Sequence, residues 1–342
     1  MPAGHRVRGP LAMPWGLFRK KETAVGISAV GTFGKVPQMG DFVRAGGRLI
    51  PSFEAWLEAG MAWGEKKHRE AWPGIFGAGG TYAFTFRPMS SEREGGVLLG
   101  LLKPSRDTVG RRFPLIVFGR FPEKQAAAGP QLLPLLTEPF VAAAESALAD
   151  GDKVTSGADF QKHIGPMQSA VIASDGVEGA YDTWSHGTSL SVLWTTIYGD
   201  PHSPAPLLAL KSIHEAVAPF SHQENATTPL GLRFPLGGGG AGVASFWIDV
   251  VRRVAHWRST TPTCFWSLDD RSPSVLIQLG TTPSSSLAEL WSADPDSQSI
   301  CDLTTTPWRE DRADLLRALP SDWASSFPRV STVSDLLDLV AR

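Results

Sequence analysis

Residues 95–121 read GGVLLGLLKPSRDTVGRRFPLIVFGRF. The runs GGVLLGLLKPS and FPLIVFGRF bracket a polar segment, Arg106–Arg112. Short apolar runs bounded by Gly and Pro suit buried strands. These two read as antiparallel neighbours joined by a long, ordered hairpin loop. Upstream, TYAFTF (81–86) alternates like a further strand closed by Arg87-Pro88, and GISAVGTFGKVP (26–37) reads as a short strand running into a Gly/Pro loop. Between them Pro51-Ser52 opens a helix, with Ser52 expected at the N-cap and Glu54 in the first turn. Phe53, Trp56, Leu57, Gly60, Met61 and Gly64 recur at helical spacing. The two glycines on that stripe predict close approach of another element, and Pro73-Gly74 is expected to stop the helix.

Farther out, residues 131–150 look helical but are interrupted by Pro134 and Pro139. In the middle, 151–240, SLSVLWTTIYG (189–199) reads as a strand. From Val243, the residues Phe246, Trp247, Val250, Val254 and Trp257 share one helix face, with Arg252, Arg253 and Arg258 opposite. TCFWSL and SVLIQLG are two strands joined by the turn Asp269–Pro273, SSSLAELW and RADLLRAL are short helices, and Thr332 with Asp335 has capping-box spacing ahead of a last helix. No internal repeat is present. Hairpins mixed with helices predict an α/β fold, a layered sandwich whose mixed, largely antiparallel sheet is flanked by helices.

Composition excludes several classes. The 342 residues are 42% hydrophobic and 19% charged, enough apolar matter for a core and too little charge for a disordered tail protein. The net charge of −2 argues against a dedicated nucleic-acid binder. No run reaches eighteen uninterrupted apolar residues, so no membrane insertion is expected. Only Cys264 and Cys301 are present, far apart, which suits a reduced cytoplasmic setting and offers no zinc or redox spacing. Residues 1–24 are expected to form a flexible basic tail, and 25–342 a single domain comprising a motif-bearing half (25–150), an enlargement (151–240) and a C-terminal α/β part (241–342). Of the twelve tryptophans, Trp56, Trp247, Trp257 and Trp291 fall on apolar helix faces and Trp266 in a strand, where they read as core.

No enzymatic motif stands out. Gly237–Gly242 satisfies GxGxxG literally, but Pro235 sits in the preceding segment and no acid follows at ribose-binding distance, so the run reads as a flexible linker. Gly34-Lys35 lacks the hydroxyl residue that a phosphate loop needs, because Val36 follows. The histidines are scattered, and neither GxSxG nor HExxH occurs. No catalytic residue, cofactor or metal is expected.

Two polar clusters remain. One is Lys35-Val36-Pro37-Gln38-Met39-Gly40-Asp41-Phe42-Val43-Arg44; the other runs from Pro104-Ser105-Arg106-Asp107 through Arg111-Arg112-Phe113-Pro114. Each places an aspartate and basic residues in a Gly/Pro-bounded loop. Asp41 and Asp107 could cap backbone amides or pair with Arg111 or Arg112, and a loop so held could also contact a partner. The candidates for loop structuring or partner binding are Lys35, Asp41, Phe42, Arg44, Ser105, Asp107, Arg111, Arg112 and Phe113.

These same residues resemble the TagF (ImpM) family of type VI secretion system-associated proteins. Gly34, Lys35, Pro37, Gly40, Asp41 and Phe42 match its G-K-x-P-x-x-G-D-F block. Pro104, Ser105, Asp107, Gly110, Arg111, Phe113, Pro114 and Leu115 match its P-S-x-D-x-x-G-R-x-F-P-L block. In the helix between, Trp56-Leu57 match but Phe53 stands where tryptophan is common. The likeness covers about residues 26–122. It implies a bacterial cytoplasmic accessory protein without catalytic activity, a post-translational repressor that binds the forkhead-associated scaffold protein and opposes a serine/threonine kinase pathway. Any phosphatase partner would be a separate chain. Two other readings stay open: a structural assembly component of the secretion machine, and a nucleotide-binding or hydrolytic regulator using Gly237–Gly242.

Overall fold

The computed structural model describes residues 24–342 apart from 90, 93–95, 152, 170, 174–175, 222–228, 270, 272, 293–296 and 305–310. The basic tail, save Ala24, and parts of the 269–273 turn therefore lie outside the described residues. The strands in chain order are β1 (Ala24–Gly26), β2 (Ser28–Gly34), β3 (Val43–Gly46), β4 (Tyr82–Phe86), β5 (Val97–Lys103), β6 (Leu115–Phe121), β7 (Val171–Ala173), β8 (Gly231–Pro235), β9 (Thr263–Ser267), β10 (Ser274–Gln278) and β11 (Ile300–Asp302).

β5 and β6 form the expected hairpin, in register from Val97↔Phe121 to Lys103↔Leu115. Alternate residues of each strand enter two different cores. Val97, Leu99, Leu101, Leu115 and Val117 face one, while Leu98, Leu102, Ile116 and Phe118 face the other. A strand apolar on both sides must be covered on both sides, and that dictates three layers. Among the described residues the central sheet has nine strands in the order β11-β8-β10-β9-β4-β5-β6-β2-β3. Every neighbour pair is antiparallel except β11 with β8. This is the mixed, largely antiparallel sheet predicted. β1 and β7 make a separate two-stranded ribbon.

One face is covered by the helices Pro51–His68, Trp72–Ala78 and Ser285–Trp291. The first buries the whole predicted stripe: Phe53, Trp56, Leu57, Gly60, Met61 and Gly64. A Cβ on Gly60 would stand 2.6 Å from Leu287 Cβ, and one on Gly64 would stand 2.6 Å from the Trp72 ring. Close approach is thus what both glycines provide. The helix ends differ from expectation. Ile50 occupies the N-cap without a side-chain bond, Pro51 takes the first turn, and the Ser52 amide donates to Glu92 Oε1 at 3.1 Å. Ser52 is displaced from the cap because proline, with no N–H, fits the first helical position. The helix stops at His68, and Pro73 opens the next helix rather than ending this one.

The other face carries Glu138–Gly151, Gly157–Ile164, Leu190–Tyr198, Ala205–Val217, Gly240–Val254 and Val333–Val340. Pro134 lies in a short preceding helix and Pro139 in the first turn of Glu138–Gly151, so the interruption falls between them. The strand expected at 189–199 is a helix. Ser189 Oγ accepts from the Val192 amide, Gly199 closes it in the left-handed region, and Leu190, Leu193, Trp194 and Ile197 make its buried stripe. Nor is the tetraglycine run a flexible linker. β8 ends at Pro235, the Gly238 and Gly239 amides donate to Thr196 O and Leu236 O, and a helix starts at Gly240. Trp257 is buried but lies beyond that helix, and Trp291 is half-buried. The Thr332–Asp335 capping box is present. Among the described residues no single helix is long and apolar enough to cross a membrane.

Candidate interaction surface

The β5–β6 hairpin delivers the second polar cluster to the end of the sheet beside the β2–β3 turn, which carries the first. β2 ends at Gly34, with φ +137°, where a Cβ would stand 2.0 Å from Pro114 O. Only glycine lets the two loops close on each other here. The chain then turns Lys35 inward until it is 4% exposed. Across the gap the hairpin loop is tied by Phe113 N–H to Ser105 O (3.1 Å) and Asp107 N–H to Arg111 O (3.0 Å). Thr108 N–H donates to Met39 O at 3.1 Å, fastening one loop to the other.

Asp107 is the hub. Its side chain is inaccessible, and its two oxygens accept from Val109 N (3.1 Å), Arg111 N (2.8 Å), Arg111 Nε (2.7 Å) and Lys35 Nζ (3.0 Å). Burial alone would raise this carboxyl, but the hydrogen bonds from Lys35 and Arg111 outweigh it and hold the group well below the usual carboxylate range. Gly40 O takes the remaining reach of both cations, from Lys35 Nζ at 3.5 Å and from the Arg111 guanidinium. Phe33, Phe42 and Phe113 pack around this ion cluster with centroid separations of 5.0–5.6 Å. Lys35 Nζ lies 4.2 Å from the Phe42 centroid, and Arg44 stacks on Phe33 while pairing with Glu54 at 2.8 Å.

Of the sequence candidates, Lys35, Phe42, Arg44, Asp107, Arg111 and Phe113 therefore come together. Ser105 contributes its backbone carbonyl to the loop. Asp41 and Arg112 are exposed, and neither pairs as the sequence suggested: Asp107 alone caps amides, and Arg111 rather than Arg112 is its arginine. The reading from sequence missed Phe33, Glu54, Arg106 and Val109. Arg106 could have been found by counting across the hairpin, because it stands opposite Arg112 in a β-bridge. Phe42 is 38% exposed and Val109 72% exposed. Beside them a groove of about 610 Å³ runs between β3 and the helix Pro51–His68, lined by Phe33, Arg44, Arg48, Leu49, Glu54 and Glu58 among others.

Fold and site define a layered α/β protein whose distinguishing surface is a pair of loops locked by a buried ion cluster. Residues 31–166 match the family model described as the TagF N-terminal domain, type VI secretion system-associated. The matched region extends beyond the motif blocks, past the helix Gly157–Ile164. Among solved structures, the crystal structure of PA0076 from Pseudomonas aeruginosa PAO1 is similar at 16% identity and a TM-score of 0.44, over 78% of this chain and 96% of that one. No curated protein matches the chain significantly.

Proposed function

We propose that this type VI secretion-associated chain is a non-enzymatic cytoplasmic regulator that represses the machine after translation by binding its forkhead-associated scaffold protein. The observation that carries the reading is a division of roles within the two loops. The charged residues Lys35, Asp107 and Arg111 are spent on one another, while Phe42, Val109, Arg106 and Arg112 are turned outward. A surface already rigid before contact loses little entropy on binding, which suits recognition better than chemistry. Within the glycine run the Gly238 and Gly239 amides donate to Thr196 O and Leu236 O.

Co-purification of the full chain with the forkhead-associated protein encoded beside it tests the proposal; retention of no secretion component sinks it. Deleting the gene decides the direction of regulation. Increased secretion is expected for a repressor, whereas loss of secretion would make the chain a structural assembly component. A serine/threonine phosphatase acting in the same pathway would be recovered as a separate protein.

A further inference from the structure

We propose that Arg106 and Arg112 form a two-arginine receptor for a carboxylate-rich segment of the protein partner, with Val109 and Phe42 as its apolar contact; this rests on the partner-binding reading above. Three observations lead there. Arg106 and Arg112 face each other directly in an antiparallel bridge. Like charges in directly opposed positions destabilise a β pairing, since bridged Cα atoms are only about 4.5–5.5 Å apart. Both side chains are exposed, and among the described residues no carboxylate pairs with either. The one acid within the loop, Asp107, is buried and committed to Lys35 and Arg111.

The second observation is charge distribution. The segments 35–44 and 104–114 hold five basic residues against two acidic ones, on a chain whose net charge is −2. With Asp107 buried, Asp41 is the one exposed acid in these two segments. Third, Val109 lies between the two arginines in sequence and is the most exposed large apolar residue among those described. Thr108 N–H on Met39 O holds the tips of the two loops together, so Phe42 belongs to the same end of the molecule. A basic rim around an apolar centre is complementary to an acidic segment carrying an apolar side chain.

The test uses the full-length chain, with Arg106→Glu/Arg112→Glu, Arg106→Lys/Arg112→Lys and Val109→Asp variants sharing the same N-terminal tail. Each is titrated against a labelled polyglutamate peptide and, separately, against the purified forkhead-associated scaffold. The wild type is expected to bind both, and to weaken as salt rises from ~0.1 M to ~1 M and the reach of a charge falls from about 10 Å to about 3 Å. The double reversal is expected to lose roughly tenfold or more on both probes with an unchanged thermal midpoint, and the double lysine variant to keep part of the binding. Val109→Asp is expected to weaken the scaffold more than polyglutamate.

If the reversed chain binds both probes as tightly as wild type, the receptor is disproved while the regulatory reading stands. Polyglutamate binding that is lost on reversal, with no capture of the scaffold, does the opposite. A duplex DNA bound more tightly than polyglutamate overturns the assignment of an acidic protein segment.

Discussion

A carboxylate without solvent, held by two cations and two backbone amides, sets the chemistry of the loops. With its folded pKa below the unfolded value near 3.9, Asp107 contributes stability that is fully present above the ordinary carboxylate range and is lost as pH falls through the folded value. The thermal midpoint of wild type should exceed that of Asp107→Asn at neutral pH, and the gap should close as the pH is lowered from ~5 toward ~2. Asp335, held at about 2 by the Thr332 and Ser331 amides, behaves with the same sign in the last helix. Asp41 is the contrast. It is exposed, so Asp41→Ala should stay within about 0.5 kcal/mol of wild type in denaturant melts. Two aspartates looked equivalent in the sequence because both sit beside glycines and arginines. Burial separates them, and burial depends on the second loop arriving from more than sixty residues away.

At the scale of elements, the helix Pro51–His68 shows which local signals suffice. Its apolar stripe could be read in full, because every member packs on the sheet or on a neighbouring helix. Gly60→Ala would gain up to about 1 kcal/mol in helix propensity. The new Cβ would press on Leu287 Cβ at 2.6 Å and on the backbone oxygen of Ser284 at 2.8 Å. Neither is the free end of a flexible side chain, and overpacking costs about 1–3 kcal/mol, so a net loss is expected by chemical denaturation. Thr332→Ala should cost about 1 kcal/mol through the lost cap.

Leu190–Tyr198 went the other way. Its β-branched residues suggested a strand, yet Ser189 before it and Gly199 after it are the start and stop marks of a helix. The cap expected at Ser52 failed for a different reason: the partner that satisfies the Ser52 amide is Glu92, forty residues on. Polar bonds across such distances leave no periodic trace.

Across the whole molecule the two cores divide the aromatic residues. Trp247 stacks on Phe234 at 4.5 Å and donates to Pro235 O at 3.0 Å in one layer, while Trp56 stacks on Phe265 at 5.2 Å in the other. Trp247→Ala should cost about 3–5 kcal/mol, read from loss of cooperative unfolding at a lower denaturant midpoint. Cys264 lies inside the sheet on β9, and burial pushes its thiol well above the ordinary range. A thiol reagent should therefore label half-exposed Cys301 first and reach Cys264 only in denaturant, as mass spectrometry of the modified peptides would show. The layered class and the hairpin could be read because both depend on alternation within single strands. The nine-strand order could not, since β4 pairs with β9 across nearly two hundred residues.

That pairing bears on how the chain is made. When the segment through residue 166 leaves the ribosome, β5, β6, β2 and β3 can assemble on β4, but β4 still lacks its other neighbour. Phe265 has not yet reached Trp56, nor have Leu290 O and Pro283 O reached the donors on Tyr82 and Trp56. The nascent chain thus carries an open, apolar strand edge until the last third is synthesised, the condition under which strands pair with the wrong partner. An excised fragment of residues 31–166 should self-associate on a sizing column, whereas the intact chain supplies its own edge cover.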